Sequence, residues 1–434
     1  MDRTERVWAL SAVWAAAKEV YPYFHRLETD WDEAYRAYLP ELLAEEDELG
    51  AWLRLAAFAR LLDDGHSTVV LPKALMEREG SFPFRLRQIG SRTLLVGAEK
   101  EGLLLRELLG IDGVPMAELA ARLDRWQYTS AGRPYVGRLE RWMPLLLPGR
   151  DHMLQTDAGE VPFSYREEPC ALLAAPEPES RLPWVPAGED LRLFDGGILC
   201  ARVDDMQQPE RADAFQAALA RLRPRAVLFD IRRNIGGMTL CGARYAAPFF
   251  SGSFGGCRKW TQARKAVDAA SASQLAGMRR ERAQRMIDEG ILPREEFDEA
   301  QRYARHTRFE HYRDSWDPPR TVCLPELPVL LLVSRDTVSA AEDFAAFFRS
   351  GRRGLLMGEP SFGSTGSPYL FRLPDGGRGQ VVSAGYELAD GTPFIGCGIQ
   401  PDIPCPPSVA ELREGWDRPL DAAVETLRRM VDAS

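Results

Sequence analysis

The sequence predicts a multidomain α/β protein: a helical N-terminal part, a mostly β middle part, and an α/β core built on a parallel-containing sheet. Three observations carry that prediction. Apolar residues recur at helical spacing through residues 1–62. Short β-like pieces alternate with turns over 75–185. From about Leu191 a strand–helix–strand order sets in, with unbroken apolar runs of the kind found in strands buried on both faces. At 434 residues the chain exceeds one ordinary core. The divisions read as 1–74, 75–187 and 188–434, the last interrupted by a helical insertion at about 257–319.

In the first part Leu10, Val13, Trp14, Ala17 and Val20 form one face, and Trp31, Tyr35 and Leu39 begin another. Leu61 to Pro72 then holds Asp63-Asp-Gly-His-Ser67, a helix stop followed by an extended Thr68–Leu71. His66 sits in that joint. A lone histidine is more often structural than functional, and none of the five histidines has zinc-site spacing. In the middle part Gly110–Pro115 is a turn before a helix over 116–123, and four prolines between Pro176 and Pro186 mark a boundary.

The core opens with a strand at 198–203, a helix at 212–222 and a strand at 225–231. Arg232-Arg-Asn-Ile-Gly-Gly237 follows, a loop whose glycines permit close approach of backbone N–H groups to a ligand. It lacks the patterns of a nucleotide site, and a loop with no further role fits it equally. Charged helical segments over 274–288 and 293–311 read as a solvated hairpin or a lid, with His306 and His311 on a solvated face.

Val329–Val333 is too short an apolar run for a helix and reads as a buried strand. Ser334-Arg-Asp-Thr337 breaks it, and Ala341, Phe344, Ala345 and Phe348 recur at helical spacing beyond. Ser339 therefore stands at a helix N-terminus, where free N–H groups can stabilise negative charge. Ser339-Ala-Ala-Glu342 also matches a capping box, and the local pattern alone favours that role. Asp336 or Thr337 can cap the helix instead, which would leave the Ser339 hydroxyl for chemistry.

Composition excludes several classes. Net charge −9 argues against general nucleic-acid binding. Seven scattered cysteines without a C-x-x-C pair suggest free thiols in a reducing compartment. No stretch approaches the roughly 18 apolar residues of a membrane span, and the mixed-charge start does not read as a signal peptide. The expectation is a cytoplasmic protein, with self-association to a homo-oligomer left open.

Several stretches agree in order with one family. Val227–Gly237, Val333–Ala345, Gly358-Glu-Pro-Ser-Phe-Gly-Ser364 and Gly396–Ile403, together with Asp63–Ser67, resemble the S41 serine peptidases. This is the family of the C-terminal processing proteases and the tricorn core protease. Gly110–Pro115 and the helix after it resemble the PDZ-like module that often precedes that core. The resemblance implies that Ser339 is the nucleophile, with oxyanion donors at the N–H groups of Ala340 and of Gly236-Gly237. The processing-protease lysine falls at Ser364, and no lysine follows Lys265, so a Ser–Lys dyad with that geometry is excluded. The tricorn-like branch uses an upstream histidine, which is His66 here. The glutamate that orients it in that branch falls at Ile395; Glu387, Asp390 and Asp64 are substitutes by position. The expected activity is peptide hydrolysis through an acyl-enzyme, on a peptide or protein substrate, without metal or organic cofactor. The alternative is a peptide- or ligand-binding protein that kept the fold and lost efficient catalysis. Ester transfer by the same serine, and Cys241 as nucleophile, are more distant readings.

Overall fold

Unbroken apolar runs become the centre of a seven-stranded sheet. Its order is β1 (Trp184–Gly188), β2 (Leu191–Phe194), β3 (Ile198–Arg202), β4 (Ala226–Asp230), β5 (Val329–Val333), β6 (Leu355–Gly358) and β7 (Ile403–Pro404). The first two pairings are antiparallel and the rest parallel, with Leu228 opposite Leu330 and Leu332 opposite Met357. Parallel pairing needs long crossovers. Helices α1 (Pro209–Leu222), α2 (Thr239–Ala246) and α3 (Ala340–Gly351) follow β3, β4 and β5, and α4 (Arg418–Asp432) ends the fold. The computed structural model describes residues 1–130, 133–134, 136–168, 170–262, 278, 280–295, 297–298 and 309–433.

Side chains on the sheet alternate between two apolar layers, as a period of two requires. Ala226, Leu228, Leu330 and Leu332 pack with Ala423, Val424 and Leu427 of α4. Phe229 points the other way, its ring 5.1 Å from both Phe215 of α1 and Phe344 of α3. Each such buried aromatic contributes about 3–5 kcal/mol by the cost of its truncation.

Contacts group the chain into two compact units that each draw on separate stretches. One comprises Met1–Val70, Lys259–Tyr312 and Gly366–Tyr386. Helices Arg3–Val20, Trp31–Ala44 and Glu48–Arg60 fill its first stretch, started by the side chains of Asp2, Asp30 and Asp47. The strand Thr68–Val70 pairs with Arg378–Val382, which pairs in turn with Pro368–Arg372. The other unit comprises Leu71–Arg258, Arg313–Thr365 and Glu387–Ser434, and contains the large sheet. Its 75–187 stretch is rich in short strands, including the sheet of Val114–Pro115, Leu108–Ile111, Asp151–Thr156 and Gly159–Ser164.

The first of the two expected helices of the insertion is present, and strands flank it. Cys257–Gln262 and Phe309–Arg313 are strands, and Arg280–Asp288 is a helix. Tertiary packing overrides the charged, helix-like composition here: the Trp260 ring stands edge-on to Tyr23 at 5.6 Å, and its indole N–H reaches Pro22 O at 3.0 Å. His311 lies on a strand, 6.1 Å from the Trp260 ring, and not on a helix face. His306 and most of the second expected helix lie outside the described residues.

A partly buried charge cluster locks α4 to the carboxyl end of β4. Arg232 Nε and Nη2 donate to Asp230 at 2.8 and 2.6 Å, and Nη1 and Nη2 donate to Asp417 at 2.8 and 2.7 Å. Asp417 also caps α4 through the Leu420 N–H at 3.1 Å. Burial pushes the Asp230 carboxyl up, but the Arg232 guanidinium outweighs it and holds the group below its ordinary value. Asp230→Ala leaves Arg232 with Asp417 as its remaining carboxylate partner and is expected to lower unfolding free energy by about 1–3 kcal/mol; an unchanged urea midpoint would show the Asp230 bonds carry no stability.

Candidate active site

The turn from β5 into α3 is strained at one residue. Ser339 is the N-cap of α3 with φ 59° and ψ −126°. A non-glycine side chain in that region costs on the order of 1–3 kcal/mol and persists only where its surroundings impose it. Here they do. Thr337, fully buried, donates its hydroxyl to Ile231 O at 2.9 Å and accepts the Ser334 N–H at 3.0 Å. The Val338 N–H reaches Asn234 O at 3.0 Å, and the Ser339 N–H reaches Ser364 O at 3.0 Å. The cap by Asp336 or Thr337 is not formed, because Thr337 is committed to the ends of β4 and β5. Ser339 keeps the cap position.

The glycine loop lies against this turn. Asn234 is fully buried, donating Nδ2 to Val203 O at 2.9 Å and accepting the Gly236 N–H on Oδ1 at 2.9 Å. Gly236 has φ +103°, and a methyl group there would come within 2.7 Å of Ser339 Cβ. Of the three expected oxyanion donors, the Gly236 N–H is thus already engaged by Asn234. The N–H groups of Gly237 and Ala340 have no protein acceptor among the described residues. Gly236→Ala meets both the backbone strain and the contact with Ser339. It is expected to abolish any Ser339-dependent activity, read against a circular-dichroism check of folding; full activity would remove the loop from the site.

A glutamate seen in the sequence as a capping residue does more. Glu342 is fully buried, and its Oε1 accepts from Ser361 Oγ at 2.5 Å and the Gly363 N–H at 2.7 Å. Its Oε2 accepts from the Ser364 N–H at 2.8 Å and the Ser339 N–H at 3.3 Å. Ser361 Oγ in turn accepts the Ile399 N–H at 2.7 Å. Desolvation dominates over these donors and pushes the carboxyl up to about 7. The group is protonated in both folded and unfolded chains below its ordinary value of 4.5. As pH rises toward about 7 the unfolded chain ionises more readily than the folded one, so stability is lost across that window. The loss is on the order of 3 kcal/mol. Urea unfolding at pH 5 and pH 8 is expected to show a smaller drop for Glu342→Gln than for the parent protein; equal drops would mean Glu342 does not titrate in this range.

The remaining expected residues are placed as follows. Ser339, Ala340, Gly236 and Gly237 lie in the unit that holds the large sheet, and His66 lies in the other. The His66 backbone N–H donates to Asp64 Oδ1 at 2.7 Å, and Ser67 Oγ donates to the same atom at 3.2 Å and accepts the Val382 N–H at 3.0 Å. The loop presenting the histidine is therefore pinned to the neighbouring strand. Glu387 pairs with Arg258 at 3.1 Å, Asp390 accepts the Thr392 N–H at 2.9 Å, and Ile395 is half-buried. Cys241 is buried and burial raises its thiol, the opposite of an activated nucleophile. Among the described residues no cluster of three or more His, Cys, Asp or Glu could hold a metal, and no helix is long and apolar enough to cross a membrane.

Residues 197–405 match the model of Peptidase family S41. Carboxyl-terminal-processing peptidase 2, chloroplastic, of Arabidopsis thaliana is 34% identical over 89 residues, 20% of this chain and 17% of that one. The carboxyl-terminal-processing protease of Picosynechococcus sp. is 35% identical over 94 residues, 22% of each chain. The chain spans about a fifth of the length of the curated relatives it matches. Among solved structures, mature CPAF complexed with lactacystin is similar at TM-score 0.73 and 14% identity, over 100% of this chain and 99% of that one. The photosystem II D1 C-terminal processing protease is similar at TM-score 0.50 and 16% identity, over 95% and 98%. At these identities the likeness is one of fold.

Proposed function

We propose that the chain, whose residues 197–405 match Peptidase family S41, is a serine-type peptidase that cleaves peptide bonds through an acyl-enzyme on Ser339. The observation that carries the reading is the strained Ser339 turn beside two uncommitted N–H groups. Strain of this kind clusters at working residues, and N–H pairs at a helix start suit a developing oxyanion.

In the proposed reaction His66 takes the proton from Ser339 Oγ as the oxygen attacks the scissile carbonyl. The oxyanion accepts hydrogen bonds from Gly237 and Ala340. Collapse breaks the C–N bond, His66 returns the proton to the leaving amine, and water repeats the sequence on the ester. The choice of His66 rests on its place in Asp63–Ser67, whose hydrogen bonds hold the loop in one conformation. The 75–187 stretch is proposed as a PDZ-like module that binds substrate. Seven free thiols accord with a reducing compartment such as the cytoplasm.

A second reading is favoured by one observation. Ile395 stands where the tricorn-like pattern has a glutamate, and an aliphatic side chain cannot orient an imidazole as a carboxylate does, so the chain would bind peptides with little turnover. Fluorophosphonate labelling separates the two. A labelled Ser339 in the folded protein, lost in Ser339→Ala and slowed at least about 100-fold in His66→Ala, is expected for the peptidase. No labelling of folded protein would support the binding module, and full labelling of His66→Ala would show that another group is the base.

A further inference from the structure

The loop beside Ser339 and the first turn of α2 expose apolar side chains that the catalytic proposal does not use. Ile235, Met238 and Leu240 are 54%, 43% and 45% exposed, and they bracket the Gly236-Gly237 backbone. Residues 234–243 carry no charge in a chain that is 27% charged. Two of this stretch's own polar side chains are already engaged: Thr239 Oγ1 donates to Asp343 at 2.7 Å, and Asn234 is fully buried. A peptide carbonyl held by the Gly237 and Ala340 N–H groups would lie on this stretch, with its side chains within reach of the three apolar residues.

We infer that Ile235, Met238 and Leu240 form the specificity surface of the site, and that its substrates are extended peptides with a large aliphatic or aromatic side chain next to the scissile bond. This rests on the peptidase reading above and adds the substrate class. Leaving three large apolar side chains in water is unfavourable, and a substrate side chain that covers them recovers that free energy. A charged residue at the same place would be desolvated against a stretch, 234–243, that carries no charge of its own. A small polar residue would leave the surface wet. Discrimination by one apolar side chain is typically about 10–200-fold in kcat/KM.

The test uses the full chain and a mixture of synthetic peptides whose new termini are identified by mass spectrometry. Ser339→Ala serves as the blank, and kcat/KM is then measured on matched peptides with Leu or Ser at the preferred position. The expected result is Ser339-dependent cleavage enriched beside large apolar residues. The Met238→Ser/Leu240→Ser double variant should lose roughly tenfold on the Leu peptide and little on the Ser peptide. Val185→Ser, a change at a 57% exposed residue on β1, should leave both unchanged. Ile235→Ser provides the same comparison if the double variant unfolds on a thermal scan. Ser339-dependent cleavage without apolar enrichment, or with an unchanged Leu-to-Ser ratio in these variants, overturns the specificity surface and leaves the peptidase standing. No Ser339-dependent cleavage of any peptide overturns the peptidase reading, and the specificity surface with it.

Discussion

The Glu342 carboxylate is the interaction on which the site's geometry depends. It draws the Ser339 N–H, the Gly363 and Ser364 N–H groups and the Ser361 hydroxyl around one buried group. Ser361 passes the connection on to Ile399. Two stretches distant in sequence, 361–364 and that of Ile399, are thereby tied to the start of α3, and Asn234 ties in a third by binding Val338 and Gly236. A positive-φ serine is unfavourable by itself, and this network supplies the opposing stabilisation. Because burial dominates the carboxyl's proton affinity, the clamp holds at the cost of desolvation. Such local cost is a mark of sites shaped by function more than by stability.

The scaffold under the site is rigid for simpler reasons. β4 and β5 are buried on both faces, and their carboxyl ends deliver the glycine loop and the Ser339 turn side by side. Ligand sites in open α/β sheets fall at such carboxyl ends. Asp230, Arg232 and Asp417 fasten β4 to α4 from below the loop, and Ser334 Oγ bonds Arg232 O at 2.5 Å across the gap between the two loops. Packing sets the strands, and polar bonds set the loops.

Much of this was legible in the sequence where the signal was local. Val329–Val333 and the apolar spacing after it specified β5 and α3, and the 198–231 stretch specified β3, α1 and β4. Ser339 and the Gly236-Gly237 loop were legible as candidates through strand-to-helix position and glycine pairing. What could not be read depended on partners far along the chain. Glu342 looks like a capping residue until Ser361, Gly363 and Ser364 fold onto it. Gly236 looks like a donor until Asn234 turns back to engage it. The strands at 257–262 and 309–313 were hidden because charged composition resembles a helix, while the packing of Trp260 on Tyr23 is a long-range contact. Thr337 offered a cap by type, but its hydroxyl is claimed by Ile231 across the sheet.

The central claim is that the strained serine turn is a nucleophile that becomes acylated. Pre-steady-state hydrolysis of an activated ester, followed by quench and peptide mapping, tests it most directly. The account predicts a burst of alcohol release close to one equivalent per chain, an acyl group on Ser339, and loss of both in Ser339→Ala. Linear release that persists in Ser339→Ala, or an acyl group on a different residue, would contradict it.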